Sequence, residues 1–219
     1  MEKIKKNALR ELVYDKIKLM ILDGALIPGQ NISKKELADR LAVSQTPVSE
    51  AINRLTGEGL IEQRPREGFC IKTFTYVDLK ELFAARAGLE GIAIRLCIEE
   101  LSDKELEKIL HIFDGFELPM NDREHARYMK ADQRFHETLI ALSKNSVIIN
   151  FDRNFDFIMK SYQKGLIRPP EETLREHLAI LAAVVERNAP LAQELLMRHL
   201  LRSREVIKDQ HLKFSGQAK

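Results

Sequence analysis

Leu9, Leu12, Val13, Ile17, Met20 and Ile21 recur at helical spacing, which predicts a first amphipathic helix stopping near Gly24. Residues 26–32 contain Pro28-Gly29 and read as a turn. Ser33 and Glu36 have the S-x-x-E spacing of a capping box, opening a second helix through Leu37 and Leu41. After a break at Ala42-Val43-Ser44, a third helix is expected from about Thr46 to Glu58. Ser44 would cap it, and Val48, Ile52 and Leu55 would form its buried stripe. Residues 60–64 and 69–73 alternate well enough for two strands, joined across Pro65-Arg66-Glu67-Gly68. From residue 76 onward only helical spacing recurs. Breaks at Ser102-Asp103, Pro119 with Asn121-Asp122, Asn145-Ser146, Pro169-Pro170 and Asn188-Ala189-Pro190 divide it into six helices. These span about 76–99, 103–117, 122–144, 147–165, 172–187 and 190–210. The fold class expected is mainly α. A winged helix-turn-helix occupies residues 1–74, and an antiparallel all-α helical bundle occupies residues 75–219.

Helix–turn–helix followed by a hairpin places the third helix for major-groove entry and the hairpin tip for a neighbouring groove. Residues 1–74 carry thirteen Lys and Arg against ten Asp and Glu, and the remainder carries twenty-two against twenty-three. That asymmetry is mild, and by itself it does not establish nucleic-acid binding. Arg64, Arg66 and Lys72 lie in the hairpin, Arg54 on the third helix, and Lys34 and Lys35 open the second. For any single lysine an ordinary solvated charge is the simpler reading. The chain has 44% hydrophobic and 31% charged residues, as a soluble globular protein does. Its longest apolar run, Leu178 to Val185, is far too short for a bilayer. The N-terminus has no apolar stretch of the secretory type, and Cys70 and Cys97 form no zinc-ribbon spacing, so a cytoplasmic protein is expected.

Asp132 and His136 stand four apart, so a helix carries both on one face. His177 and His199 follow at gaps that suit helical hairpins returning alongside. Three imidazoles and a carboxylate suit one zinc, nickel or other borderline divalent ion per chain. The competing reading is that these are buried polar residues satisfied by their neighbours.

The N-terminal segment is similar to the GntR-family winged helix. The resemblance rests on Gly24-x-Leu26-x-Pro28-Gly29, Lys35-Glu36-Leu37-Ala38, Leu41-x-Val43-Ser44-x-Thr46-Pro47-Val48 and Leu55-x-x-Glu58-Gly59-Leu60-Ile61. It implies a bacterial regulator that binds a pseudo-palindromic operator on double-stranded DNA as a homodimer. Relatives commonly carry Arg at the two positions held here by Gln45 and Ser49. Arginine reads guanine bidentately, whereas glutamine pairs best with adenine. The resemblance assigns Lys35, Gln45, Thr46 and Ser49 near bases and Arg54, Arg64 and Arg66 nearer phosphates, with Gly68 in the wing turn.

The C-terminal segment resembles the FCD ligand-binding domain of the FadR subgroup, and its six helices look more like the VanR-type branch. Asp132, His136, His177 and His199 match that domain's metal ligands, and Arg86-x-x-x-Glu90 and Leu142-Ser143-Lys144-Asn145 match further signatures. The likeness implies a small organic acid bound at the ion, with Arg86 on its far carboxylate. An internal salt bridge to Glu90 is the alternative for Arg86. Asn154 shares a helical face with Val147, Phe151 and Ile158 and is a further effector-binding candidate. The function expected is a ligand-responsive transcriptional regulator without catalysis. The alternatives are a metalloregulator sensing the ion itself, or a metal-dependent hydrolase with Glu137 or Glu176 as base.

Overall fold

The computed structural model describes the backbone of residues 2–161 and 168–207, and the side chains of residues 7–153, 158 and 168–207. These residues fall into two compact units, one built on the chain up to Thr75 and the other beginning at Tyr76.

The first unit runs α1 (Glu2–Leu22), β1 (Asn31–Ile32), α2 (Lys34–Leu41), α3 (Gln45–Gly57), β2 (Ile61–Arg64) and β3 (Gly68–Ile71). Val13, Ile17, Met20 and Ile21 of α1 meet Leu37 of α2, Val48, Ile52 and Leu55 of α3, and Ile61 and Ile71 of the hairpin in one core. Leu9 and Leu12 belong to the helical pattern but stay outside that core, Leu12 at 65% exposure. The segment expected to be only a turn contains a short strand. Asn31 pairs with Cys70 and Ile32 with Phe69, making an antiparallel sheet of order β1-β3-β2. Two residues cannot show an alternation, which is why the pattern missed β1. Ser33 accepts from the Glu36 N–H at 3.3 Å, while Ser44 stands at the α3 N-cap without a side-chain bond. The wing closes with Arg64 opposite Gly68. Gly68 has φ +85°, a left-handed backbone that glycine adopts without the steric cost of a Cβ.

The second unit contains α4 (Tyr76–Glu100), α5 (Asp103–Leu110), α6 (Asp122–Leu142), α7 (Ser146–Ser161), α8 (Pro170–Val185) and α9 (Ala189–Val206). Capping boxes at Ser102/Glu105 and Asn121/Glu124 start α5 and α6. The expected helix to residue 117 stops at Leu110, and turns carry the chain on to Gly115 at φ +75°. The last helix, expected to residue 210, ends at Val206 with Ile207 extended at its C-cap; residues 162–165 and 208–210, over which α7 and α9 are also expected to run, lie outside the described residues. Among the described residues, no helix is long and apolar enough to cross a membrane.

Helix α4 lies along α9, and α6 and α8 complete the packing. Gly91 permits the close approach: a Cβ there would stand 2.6 Å from Cγ of Met197. Arg187 closes the other end of α4, donating from Nη1 to the carbonyls of Ile98 at 2.8 Å and Leu101 at 2.7 Å. It also pairs with Asp103. Those carbonyls end a helix and have no intrahelical partner of their own. Arg187→Ala should therefore destabilise the protein by about 1–2 kcal/mol, seen as a lower urea midpoint with unchanged slope.

Candidate metal centre and nucleic-acid face

Helix α6 carries Asp132 and His136, α8 carries His177, and α9 carries His199. All four side chains are buried, and one ligand atom from each lies within 4.8 Å of all the others. The imidazole rings of His177 and His199 have centroids 4.5 Å apart, and those of His136 and His199 5.5 Å apart. Phe113 stacks on His177 at 4.4 Å, and Phe135 meets it edge-on. An apolar wall of this kind excludes water.

Hydrogen bonds outside the cluster determine which nitrogen each histidine presents inward. The Nδ1 of His136 bonds to a Glu90 oxygen, and the Nδ1 of His199 bonds to Glu176 Oε2 at 2.8 Å. A carboxylate only accepts, so each Nδ1 carries a proton, and in the neutral ring Nε2 is the nitrogen that presents a lone pair. For His177 the logic runs through three residues. The Thr173 hydroxyl donates to the Pro169 carbonyl at 3.2 Å, the Tyr128 hydroxyl donates to Thr173 Oγ1 at 2.9 Å, and His177 Nδ1–H donates to the Tyr128 oxygen at 2.8 Å. Because a carbonyl cannot donate, the direction of the whole chain follows, and Nε2 of His177 is again a bare acceptor.

Nε2 of His177 and Oδ1 of Asp132 are 3.5 Å apart, buried, and without a hydrogen-bond partner among the described residues. Two inward-facing acceptors cannot satisfy one another, and burying them so costs free energy. A cation between them removes that cost. Burial, then the nearby His199 and His136, hold the His177 imidazole well below its ordinary range. Burial likewise lowers His199, against the pull of Glu176. Both are thus neutral at pH 7, the state metal coordination requires. The donor set fits a divalent transition ion.

Arg86 and Glu90, both on α4, form a buried pair with Nη2 to Oε1 at 2.7 Å and Nε to Oε1 at 2.8 Å. Burial opposes ionisation of Glu90, but Arg86 and His136 outweigh it and bring its carboxyl down to about 2. Arg86 therefore sits in the internal salt bridge, one contact away from a histidine of the cluster. Glu176, sequence-adjacent to His177, serves His199 instead and is clasped by Arg168 and Arg202. Arg168 is 3% exposed and also donates to Ser203 and to the His199 carbonyl at 3.1 Å each. Glu137 is exposed and accepts from Gln133 at 2.7 Å. Neither acid suggested as a hydrolytic base points into the cluster. Sequence spacing did not reveal Tyr128, Thr173 or Arg168, because each acts across helices. The side chain of Asn154 lies outside the described residues.

Such outer partners orient ligands, and their loss typically costs about 10–100-fold in metal affinity. Tyr128→Phe should have that effect on zinc affinity while Asp132, His136, His177 and His199 remain. Competition with a chromophoric chelator measures it, and an unchanged affinity would count against the orienting role.

In the first unit, Lys35, Gln45 and Thr46 are exposed on α2 and α3, and Ser49 is half-buried. Arg66 and Gly68 are exposed at the wing tip, and Arg64 pairs with Glu62 at 2.6 Å. Arg54, expected nearer phosphates, is exposed and ion-paired within the unit. Its Nη1 lies 2.9 Å from both Glu11 oxygens, its Nε bonds to Glu58 at 3.2 Å, and it stacks 3.8 Å over the Tyr14 ring. Those partners lie 43 and 4 residues away in sequence.

Comparison with known proteins bears on both units. The gntR family of bacterial regulatory proteins matches residues 9–71, and the FCD domain family matches residues 81–202. The chain is 30% identical to the HTH-type transcriptional regulator YdhC of Bacillus subtilis strain 168, over 89% of each chain. It is 28% identical to the Nta operon transcriptional regulator of Aminobacter aminovorans, covering 79% of this chain and 82% of that one. A putative GntR transcriptional regulator from Rhodococcus sp. RHA1 superposes with TM-score 0.67 at 20% identity, over 91% of this chain and 97% of that one, a likeness of fold.

Proposed function

The chain belongs to the gntR family of bacterial transcriptional regulators and carries an FCD domain, and on that premise we propose how it works. The first unit binds operator DNA as part of a homodimer. The second holds one divalent ion, zinc or nickel, at which a small organic acid binds and changes operator affinity. The observation that carries this reading is the pair of buried, unpartnered acceptors, Asp132 Oδ1 and His177 Nε2, inside a cluster whose other polar atoms are oriented from behind. Asp132, His136, His177 and His199 would hold the ion. With these four residues as ligands, a six-coordinate ion would leave two positions that a carboxylate could take, and a four-coordinate ion none.

Arg86 is the chain's own device for the acid. It keeps Glu90 ionised, and Glu90 accepts from His136. An acid that pairs with the guanidinium competes with Glu90 for it, so acid binding and the orientation of His136 are physically linked. An effector shifts an equilibrium only through different affinities for the two states. A coupling of about 1–3 kcal/mol would change operator affinity by about 5–150-fold.

Calorimetric titration of mono-, di- and tricarboxylates into metal-loaded protein tests the effector reading directly. Binding should disappear in chelator-treated protein and in Arg86→Ala. An acid that binds all three equally would remove the site from consideration.

Arg66 is exposed at the wing tip. Arg66→Ala should weaken all DNA sequences alike and reduce the salt dependence of binding by about one unit of slope. A sequence-selective loss would mean that Arg66 reads bases instead.

A further inference from the structure

The buried stripe of α3 is Pro47, Val48, Ala51, Ile52 and Leu55. At about 100° per residue, the opposite face is centred on Thr46 and Asn53, with Ser49 and Gln45 to one side and Glu50 and Arg54 to the other. The second flank is occupied. Glu50 ion-pairs with Arg10 of α1 at 2.6 Å, and Arg54 is held by Glu11, Glu58 and Tyr14. Tyr14 donates to Glu58 at 2.6 Å, which completes the clamp between α1 and α3.

What α3 leaves without a side-chain partner is therefore uncharged: Gln45, Thr46, Ser49 and Asn53. None of the four side chains has a hydrogen bond or ion pair among the described residues, and Gln45, Thr46 and Asn53 are exposed. Cations available for phosphates stand elsewhere, on α2 at Lys35 and at the wing tip at Arg66. The centre of the helix's outward face thus has amide and hydroxyl groups, while the Arg54 guanidinium stays on the flank, exposed but held in its ion pairs.

Side-chain amides pair bidentately with adenine through N6 and N7, and a threonine methyl packs on the thymine methyl. Guanine, which offers two acceptors, calls for the two parallel donors of arginine. We infer that α3 reads adenine–thymine pairs in the major groove, with Asn53 and Gln45 each addressing an adenine. Asn53 is a specificity-determining residue on this account. Eight residues of helix rise about 12 Å, so the two adenines lie no more than about four base pairs apart in each half-site. This inference rests on the operator-binding reading above and specifies its target.

Selection of binding sequences from a randomised duplex pool, using the full-length metal-loaded protein, tests it. The selected half-site should specify adenine at two positions, one of which loses its preference in Asn53→Ala and the other in Gln45→Ala. The discrimination lost at each should be about 5- to 150-fold, with melting temperatures unchanged because both side chains are exposed. Selection of guanine at these positions, or an adenine preference that survives both substitutions, would overturn the inference and leave operator binding intact. Failure to retain or enrich any duplex, even at low salt, would sink the operator-binding reading and this inference with it.

Discussion

Chelator treatment should lower the melting temperature of the wild-type protein by roughly 8–16 °C, and His136→Ala should show no such response. Asp132, His136, His177 and His199 lie on α6, α8 and α9, so one ion would join three helices that packing and the Tyr128–His177 and His199–Glu176 hydrogen bonds already link. A ligand that binds only the folded state adds its binding free energy to stability, about 4 kcal/mol at a concentration a thousand times Kd. For a chain of this length each kcal/mol moves the melting temperature by about 2–4 °C. The comparison that matters is loaded against stripped protein for each variant, because truncating a buried imidazole leaves a cavity with its own cost. His125→Ala serves as the control, since His125 is exposed on α6. It should keep one metal per chain and the full response to chelator. Wild-type protein that takes up neither zinc nor nickel, and melts identically with and without them, would show that the cluster is only a buried polar network.

A fragment of residues 1–75 should bind operator at least 100-fold more weakly than the full chain. On the homodimer reading, two α3 helices on one duplex would engage two half-sites, and joining them would make the second contact intramolecular. Linkage of this kind raises apparent affinity by about 10²–10⁴ without any new contact. The second unit is where we place the joining surface. Anisotropy titration of the fragment and the full chain on a selected operator gives the ratio, with circular dichroism confirming that the fragment is helical. Equal affinities would show that the second unit contributes nothing to operator binding.

Much of the fold was legible because its signals are local. Period, breaks and caps depend on residues three or four apart, so the six helices among the described residues of the second unit and the wing hairpin follow from spacing. The elements that spacing missed are those with too few residues for a period, such as β1, or with an end decided by packing, such as α5. The candidate ligands could be named from residue type and resemblance. Their outward partners could not, since Tyr128 lies 49 residues from His177 and Glu90 lies 46 from His136.

Arg54 and Asn53 show the division most clearly. By sequence alone the cation is the natural contact for DNA and the amide is unremarked. Only the packing of α1 against α3 brings Glu11 and Tyr14 onto Arg54 and leaves Asn53 open. By itself the sequence determined the family, the succession of helices and strands, and the four residue types suited to a metal. Tertiary structure decided which nitrogen of each histidine faces inward, that Asp132 Oδ1 and His177 Nε2 are left without hydrogen-bond partners among the described residues, and which polar groups of α3 remain available. The physical reason is range. Helical periodicity and capping are written within a turn or two, whereas the partner of a charge or the tautomer of an imidazole depends on groups that meet only after the helices pack.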